Sequence, residues 1–252
     1  SLGVNTNGAS AFGALSSRVH GTVDLDPDAT ATTRIADVAG ARNRGVTLSS
    51  VRVTVDGNYT DVDLAGADTL GDVVTRINNA IDGWDPAAGS LAVAPDGFEL
   101  TANAGHTITI ADIASGVTAL DLGIDVSATG ATTAGADVNP RLTELTQLAA
   151  LGPAIDWASG IQITNGGITE TIDLSAANTL RDVINIFDRA DMGVRVEVNA
   201  DRTGLNLINE VSGTELTVAE NGGSTAGDLG LRTFDASTQL TVLNHGRGVQ
   251  TV

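Results

Sequence analysis

The chain has 252 residues, a net charge of −18 and no cysteine, and all 13 of its basic residues are arginine. The acidic excess disfavours binding to nucleic acid and docking on anionic membranes, because both carry negative charge. Without cysteine, disulfides and thiolate chemistry are excluded. Hydrophobic residues make up 42% of the chain and aromatic residues only 3%, which predicts a packed core of aliphatic side chains. No apolar run is long enough to span a membrane.

The first part of the chain is the hardest to interpret. Residues 1–4 have neither a basic nor an apolar leader character, so no signal peptide is predicted there. A strand is predicted at 19–25, and we expect it to pair with a neighbouring unit.

The weak candidate for a metal site is a calcium site at Asp24, Asp26 and Asp28. Calcium loops begin with this spacing because alternate carboxylates converge on one hard cation. Ala29 stands where such a loop requires glycine, and Ile35 stands where it requires glutamate. The sequence therefore favours a solvated turn, and no metal or cofactor is expected.

A β-hairpin and a helix are predicted next. Apolar residues alternate from Val51 to Val55, Asp56-Gly57 follows, and a second strand runs over 59–64. Thr69 and Asp72 have the spacing of a capping box at a helix start. The apolar stripe that we expect to face the hairpin consists of Leu70, Val73, Val74, Ile77 and Ile81.

The same order of elements recurs further along the chain. Residues 51–54 match 161–164, and Thr69-Leu70-Gly71-Asp72 matches Thr179-Leu180-Arg181-Asp182 without a gap. The second turn is Asn165-Gly166-Gly167, and the second apolar stripe is Leu180, Val183, Ile184 and Phe187. Three further strands are predicted after each helix, at 91–94, 98–101 and 107–110, and at 194–198, 204–208 and 215–219. The fold class is therefore α+β, built from tandem β-β-α units that each end in a β-meander.

Short signatures mark where the units begin and end. Asp121-Leu122-Gly123-Ile124 closes one unit and Asp228-Leu229-Gly230-Leu231 closes the other, while Leu2-Gly3-Val4 repeats this ending. Openings stand at Arg44-Gly45-Val46, more loosely at Ser159-Gly160-Ile161, and again at Arg247-Gly248-Val249. We predict the tail of a preceding unit with a connector at 1–43, complete units at 44–153 and 154–246, and the start of a further unit at 247–252.

Catalytic patterns are weak in this sequence. His20, His106 and His245 are isolated, and no His-x-x-x-His pair, Gly-x-Ser-x-Gly elbow or phosphate-binding Gly-Lys motif occurs. No enzymatic site is predicted. Trp84 and Trp157 are interpreted as aromatic residues that pack a connector onto a unit, with ligand recognition as the alternative.

The hairpin, the Asp-Leu pair, the Thr-Leu-x-Asp-Val segment and the later Asp-Leu-Gly signature resemble the flagellin hook motif of bacterial flagellar axial proteins. The tandem arrangement with its leucine-containing connectors, at 142–151 and 240–243, is most similar to hook-associated protein 3, the hook–filament junction family. The resemblance covers about 45–125 and 155–231 well.

The resemblance implies a non-enzymatic, structural role in the bacterial flagellum and in motility. It implies an outward-facing central region, secreted by flagellar export without a separate signal peptide, that is extracellular and assembles with flagellin and hook-associated proteins through the full-length chain. We expect the isolated chain to be a monomer. The alternatives are the central domain of a flagellin or of the filament cap protein and, from another class, a repetitive surface adhesin or carbohydrate-binding module.

Overall fold

The computed structural model describes residues 18–152 and 154–233, and its contacts divide the chain into two compact units. Residues 26–141 form one unit, which we call the inserted module. The described residues of 18–25 and 142–233 form the other, which we call the split module, because the chain leaves it after Leu25 and returns at Leu142.

Each module consists of short strands with one longer helix. The first element among the described residues is β1 (Arg18–His20), which belongs to the split module. The inserted module contains β2 (Ser50–Val55), β3 (Asn58–Asp63), α1 (Leu70–Asp82), β4 (Gly89–Ala94), β5 (Gly97–Ala102), β6 (Thr107–Asp112), α2 (Thr118–Asp121), β7 (Val126–Thr129) and β8 (Thr132–Ala134). The split module continues with β9 (Ile161–Asn165), β10 (Ile168–Ile172), α3 (Leu180–Arg189), β11 (Val194–Val198), β12 (Leu205–Asn209), β13 (Leu216–Glu220) and α4 (Thr225–Asp228).

The predicted hairpins, helices and capping boxes are confirmed. In both boxes the threonine hydroxyl accepts from the N–H of the aspartate three residues on, and that aspartate accepts from the N–H of the threonine. Leu70, Val73, Ile77 and Ile81 are buried on α1, as are Leu180, Val183 and Phe187 on α3, while Val74 and Ile184 are partly buried. The α+β fold class is therefore confirmed, and it is mostly β.

The predicted β-meander is wrong. In the inserted module the strands after the helix belong to two sheets, ordered β3-β2-β6-β7 and β4-β5-β8. The split module repeats this division as β10-β9-β13 and β11-β12-β1. The third strand returns to the hairpin because its apolar residues, Ile108 and Ile110 on β6, complete the layer formed by Val53 and Val55 on β2.

Of the strand predicted at 19–25, only residues 19 and 20 are in a strand, β1, which pairs antiparallel with β12 of the split module. In the inserted module β8 holds the corresponding place beside β5. We call β1 and β8 the closing strands. One precedes the rest of its module in sequence and the other follows it.

The segments that lead into the units form equivalent structures. Each contains a 3₁₀ turn, Ile35–Asp37 or Leu148–Ala150, and the residue before the turn forms a β-bridge to the threonine that caps the following helix. The boundaries between the compact modules lie at 25/26 and 141/142. The repeat units predicted from the sequence instead begin at residues 44 and 154. Leu2-Gly3-Val4, the connector at 240–243 and Arg247-Gly248-Val249 lie outside the described residues.

Candidate functional site

The closing signature of the inserted module is tied to the segment that leads into β2. Asp121 lies at the end of α2, and one of its carboxylate oxygens accepts from the N–H of Thr47 at 3.2 Å. The other accepts from Nε and Nη2 of Arg42 at 2.8 and 2.6 Å. At the start of α2, the Thr118 hydroxyl donates to the carbonyl of Thr47 at 2.9 Å. We call this group of contacts the clasp of the inserted module.

The split module has a clasp with the same design. Asp228 accepts from the N–H of Asp156 at 3.2 Å, and the Thr225 hydroxyl donates to the carbonyl of Asp156. No arginine is paired with Asp228 among the contacts of the described residues; the hydroxyl of Ser224 donates to it instead, at 2.8 Å. The aspartate and the threonine before it therefore have the same structural role in both modules.

A carboxylate from the preceding strand caps each of these short helices. Asp112 at the end of β6 accepts from the N–H groups of Ala119 and Leu120 at 2.8 and 3.1 Å. Glu220 at the end of β13 accepts from the N–H groups of Ala226 and Gly227 at 2.9 and 2.8 Å. These acids occupy N–H groups that would otherwise have no partner within the helix.

The glycine of the closing signature is required by the backbone. Gly123 and Gly230 have φ values of +68° and +67°, the left-handed conformation that favours glycine after a helix. A Cβ on Gly123 would lie 2.3 Å from the carbonyl oxygen of Ala136, and one on Gly230 would lie 2.5 Å from the amide nitrogen of Val23. The backbone that follows β8 or β1 therefore passes directly against this glycine in both modules.

The Asp-Leu pair after each hairpin is also structural. Asp63 accepts from the N–H of Ala65, and Asp173 accepts from the N–H of Ser175, both at 2.9 Å. Each carboxylate thereby fixes the turn that leads toward the helix. The leucines that follow, Leu64 and Leu174, are fully buried.

An exposed cluster of three side chains, Tyr59, Arg52 and Asp61, lies on the outer face of the hairpin in the inserted module. The Arg52 guanidinium lies 4.0 Å from the ring centre of Tyr59, the only tyrosine of the chain, and forms two hydrogen bonds to Asp61 at 2.8 and 3.0 Å. The hydrogen bond from Arg52 lowers the pKa of Asp61. Tyr59 is 56% exposed. This cluster was not predicted from the sequence, although strand alternation places Tyr59 opposite Thr54, away from the core.

The two tryptophans differ in their surroundings. Trp84 follows α1 and is 48% exposed, and its indole N–H donates to the Thr60 hydroxyl at 2.9 Å. Trp157 is partly buried against the core of the split module, where it lies in the segment that leads into β9. The packing interpretation thus describes Trp157 better than Trp84.

The histidines in the described chain are not brought together. His20 lies on β1 in the split module, and His106 lies between β5 and β6 in the inserted module. The ring of His106 contacts the carboxylate of Asp56 at 2.8 Å, and the N–H of Thr107 donates to the same carboxylate. The hydrogen bond from the Thr107 N–H lowers the pKa of Asp56, and the hydrogen bond with His106 lowers it further by a smaller amount. This contact joins two turns at one end of the module. His245 lies outside the described residues.

The calcium candidate is divided by the module boundary. Asp24 belongs to the split module, and Asp26 and Asp28 belong to the inserted module. Within residues 18–152 and 154–233, no group of three His, Asp or Glu side chains is arranged to hold a metal ion. The solvated turn remains the favoured prediction for these three residues, and calcium binding remains the weak alternative.

Two grooves are open and lined by mixed side chains. One of about 500 Å³ in the split module lies between the connector at Leu142 and β11, and Arg195, Glu197 and Arg202 contribute charge to it. Arg195 pairs there with Glu197 and Glu210, and Arg202 donates to the carbonyl of Leu142. These charges are therefore already engaged within the module.

No family model and no curated protein matches the chain. Among solved structures, the chain is similar to the crystal structure of the flagellar cap protein FliD from Helicobacter pylori, with 18% identity over 87% of this chain and 56% of that one. The TM-score is 0.21, so the two chains do not superpose as wholes and the similarity carries no argument about function. Among the helices in the described part of the chain, none has both the length and the apolar character needed to cross a bilayer.

Proposed function

We propose that this chain is the outward-facing central region of a bacterial flagellar axial protein, and specifically of the hook–filament junction protein, hook-associated protein 3. In this role the two modules add folded mass outside a helical core that the flanking parts of the full-length protein would supply. The chain is exported unfolded through the flagellar apparatus and folds outside the cell. Its partners are flagellin and the other hook-associated proteins.

The observation that carries the proposal is the use of the motif residues. The residues that resemble the flagellin hook motif all have structural roles, and they have the same roles in both modules. Thr69 and Thr179 cap helices, Asp121 and Asp228 form clasps, and the leucines beside them are buried. A repeated sequence motif used wholly for folding indicates a building module whose function is shape and display.

The composition suits this role. With no cysteine, no disulfide can form before or during export, and the charge of −18 keeps the exposed surface soluble at high local density. The clasps explain how a module with few aromatic residues is held closed. Hydrogen bonds between charged side chains and backbone groups join the segment before the hairpin to the short helix in each module.

Immunogold labelling tests the proposal. Antibodies raised against the purified chain are applied to flagellated cells of the source organism and viewed by electron microscopy. We expect gold particles confined to the point where hook meets filament. Label along the whole filament would assign the chain to a flagellin, label at the tip would assign it to the cap protein, and label on the cell envelope would contradict a flagellar role.

One observation favours a second candidate function, a carbohydrate-binding module. Tyr59, Arg52 and Asp61 form an exposed group of the residue types that stack on sugars and bond their hydroxyls, and the neighbouring strands carry a row of hydroxyls at Thr54, Thr109 and Ser127. A glycan array probed with the chain and with Tyr59→Ala tests this candidate. Binding that disappears in Tyr59→Ala would support it, and no binding by the unaltered chain would remove it.

A further inference from the structure

The two closing strands fill the same slot in the two modules, with the same register. Val19 of β1 lies opposite Leu207 of β12, and Thr133 of β8 lies opposite Leu100 of β5. The glycine just after each closing strand, Gly21 or Gly135, faces a backbone carbonyl of the central strand so closely that a Cβ would not fit without a shift or a tight contact. The slot therefore accepts a strand followed by glycine.

The hydrogen bonds that follow the glycine are also equivalent. The N–H of Thr22 donates to the carbonyl of Gly230 at 3.2 Å, as that of Ala136 donates to Gly123 at 2.9 Å. Next, the N–H of Leu25 donates to the carbonyl of Thr203 at 2.8 Å, in the way that Val138 donates to Asp96 at 2.8 Å in the other module. Each segment ends in a buried apolar side chain.

The two closing strands differ in how they are attached. β8 follows β7 through the two-residue turn at Gly130 and Ala131, so this short connection keeps β8 close to its own module. β1 is separated from the rest of the split module by the whole inserted module, residues 26–141. The contacts that hold β1 would be the same if the strand came from another copy of the chain, which is the condition for exchange of an element between protomers.

The segment next to β1 has a strained backbone, and the same conformation recurs after β8, where Asn139 has a φ of +48° before Pro140. Asp26 has a φ of +34°, a conformation that is uncommon for a residue with a side chain, and Pro27 follows it. Short hinge segments under conformational strain favour exchange between copies, because an extended hinge relaxes the strain. Among the described residues, the segment from β1 to Leu25 has to detach, while the other described strands of the split module keep their pairing.

We propose that the slot beside β12 is an acceptor site for β1 of a second copy of this chain. At low concentration the slot is filled by the chain's own β1. At the packing density of a polymer a neighbouring copy competes, because a tethered strand has an effective concentration on the order of millimolar. The exchange is a property of the chain itself, and it rests on the proposed function only for the place where such density arises.

A disulfide experiment tests the exchange, helped by the absence of native cysteine. One preparation carries Val19→Cys and the other carries Leu207→Cys; they are mixed, concentrated to about 1 mM, the range of the tether's own effective concentration, and oxidised. Residues directly opposite each other in an antiparallel pair are close enough for a disulfide. We expect a heterodimer whose yield rises with concentration, with the disulfide between positions 19 and 207 identified by peptide mass spectrometry.

Matched variants complete the test. Thr133→Cys mixed with Leu100→Cys reports the equivalent pair in the inserted module, where we expect several-fold less heterodimer because β8 is tied closely to its own sheet. A chain carrying both Val19→Cys and Leu207→Cys should form the internal disulfide when dilute, which shows that the variants fold with β1 in its slot. A heterodimer linked through positions 19 and 207 that is no more abundant than the control, or failure of the internal disulfide, would overturn the proposal. Neither result would alter the expected labelling of the hook–filament junction.

Discussion

The inserted module and the split module have the same fold with the chain cut at different places. In the inserted module all strands follow one another in sequence, whereas the split module takes its closing strand from the far side of the insertion. A module of this kind thus tolerates a break between its closing strand and the rest of its chain. The fold requires a strand at the sheet edge beside β12 or β5, since β1 and β8 make equivalent contacts there.

The modules differ in how they fill equivalent positions. At the end of the first hairpin strand, the inserted module has a buried Val55, and the split module has Asn165, which is 5% exposed. In the clasp, Asp121 pairs with Arg42, and Asp228 pairs with Ser224. Apolar packing in one module is therefore replaced by a polar network in the other, and a salt bridge by a hydrogen bond from a hydroxyl to a carboxylate. Each exchange can be tested in both directions.

Removal of the largest core side chain should have the largest effect. Ile77 and Phe187 are fully buried at equivalent places on α1 and α3. We expect Phe187→Ala to lower the free energy of unfolding by about 3–5 kcal/mol and Ile77→Ala by about 2–5 kcal/mol, from lost burial and the cavity left behind. Denaturant unfolding measures the total, and hydrogen exchange should locate each loss in the mutated module. Equal loss of protection in both modules after either change would show that they do not unfold separately.

Exchanging Val55 and Asn165 should destabilise both modules. Asn165 donates to the carbonyl of Met192 at 2.9 Å and to Asn209 at 3.1 Å, and it accepts from the Thr214 hydroxyl at 2.6 Å. Asn165→Val removes all three hydrogen bonds; Asn209 still accepts from the N–H of Val211 and the Thr214 hydroxyl can still donate to the Val211 carbonyl, so we expect a cost of about 2 kcal/mol. Val55→Asn buries an amide among aliphatic side chains, and we expect about 3 kcal/mol.

Thermal unfolding checks both changes, with Thr214→Ser as the control. The serine keeps the hydroxyl that donates to Asn165, so the control should unfold close to the parent chain. If Asn165→Val were as stable as the parent, the polar network would be no more than a substitute for apolar packing.

The clasps should differ in their sensitivity to loss of a partner. The Asp121 side chain is 3% exposed and the Arg42 side chain 37% exposed, so Arg42→Ala leaves a nearly buried carboxylate with only the Thr47 N–H. We expect a loss of about 2 kcal/mol, in the range of hydrogen bonds to charged groups. Ser224→Ala should cost about 1 kcal/mol or less, because Asp228 is less buried. Urea unfolding measures the loss of unfolding free energy in each variant. A larger loss for Ser224→Ala would contradict this account of the clasps.

Local structure could be predicted from the sequence because its signals are local. Alternation from Val51 to Val55, the turn at Asp56-Gly57 and the capping box at Thr69 each lie within a few residues, and all three are present as expected. The short helices α2 and α4 were not predicted, since four residues are too few to show helical periodicity.

Pairing between distant strands could not be predicted in the same way. Both β6 and β5 alternate, and nothing in their sequence states that β6 returns to β2 while β5 pairs with β4. The partner of β1 lies beyond the whole inserted module, and three residues carry no register signal. The Asp-Leu-Gly signature was recognised as a repeat, but its clasp depends on Thr47 and Asp156, which are distant in sequence and have no side-chain type in common.

The helix caps should give the smallest effects and the closest agreement between the modules. Thr69→Ala and Thr179→Ala each remove one side of a capping box, and we expect about 1 kcal/mol for either. A much larger effect in one module would show that its cap does more than hold the helix end. Matched serine variants keep the hydroxyl and should restore most of the stability.

The caps also predict a dependence on pH. Backbone N–H groups lower the pKa of both cap carboxyls below the ordinary 3.8, with the Thr69 N–H the largest cause at Asp72 and the Asn178 N–H the largest at Asp182. A carboxyl with a lowered pKa stabilises the folded state fully above its unfolded pKa, and this stabilisation is lost as the pH falls through the folded value. Asp72→Asn and Asp182→Asn should therefore reduce the loss of melting temperature between neutral pH and the region below 3.8 by similar amounts. If only one variant changed the pH profile, the two capping boxes would share their geometry and would differ in how much they stabilise their modules.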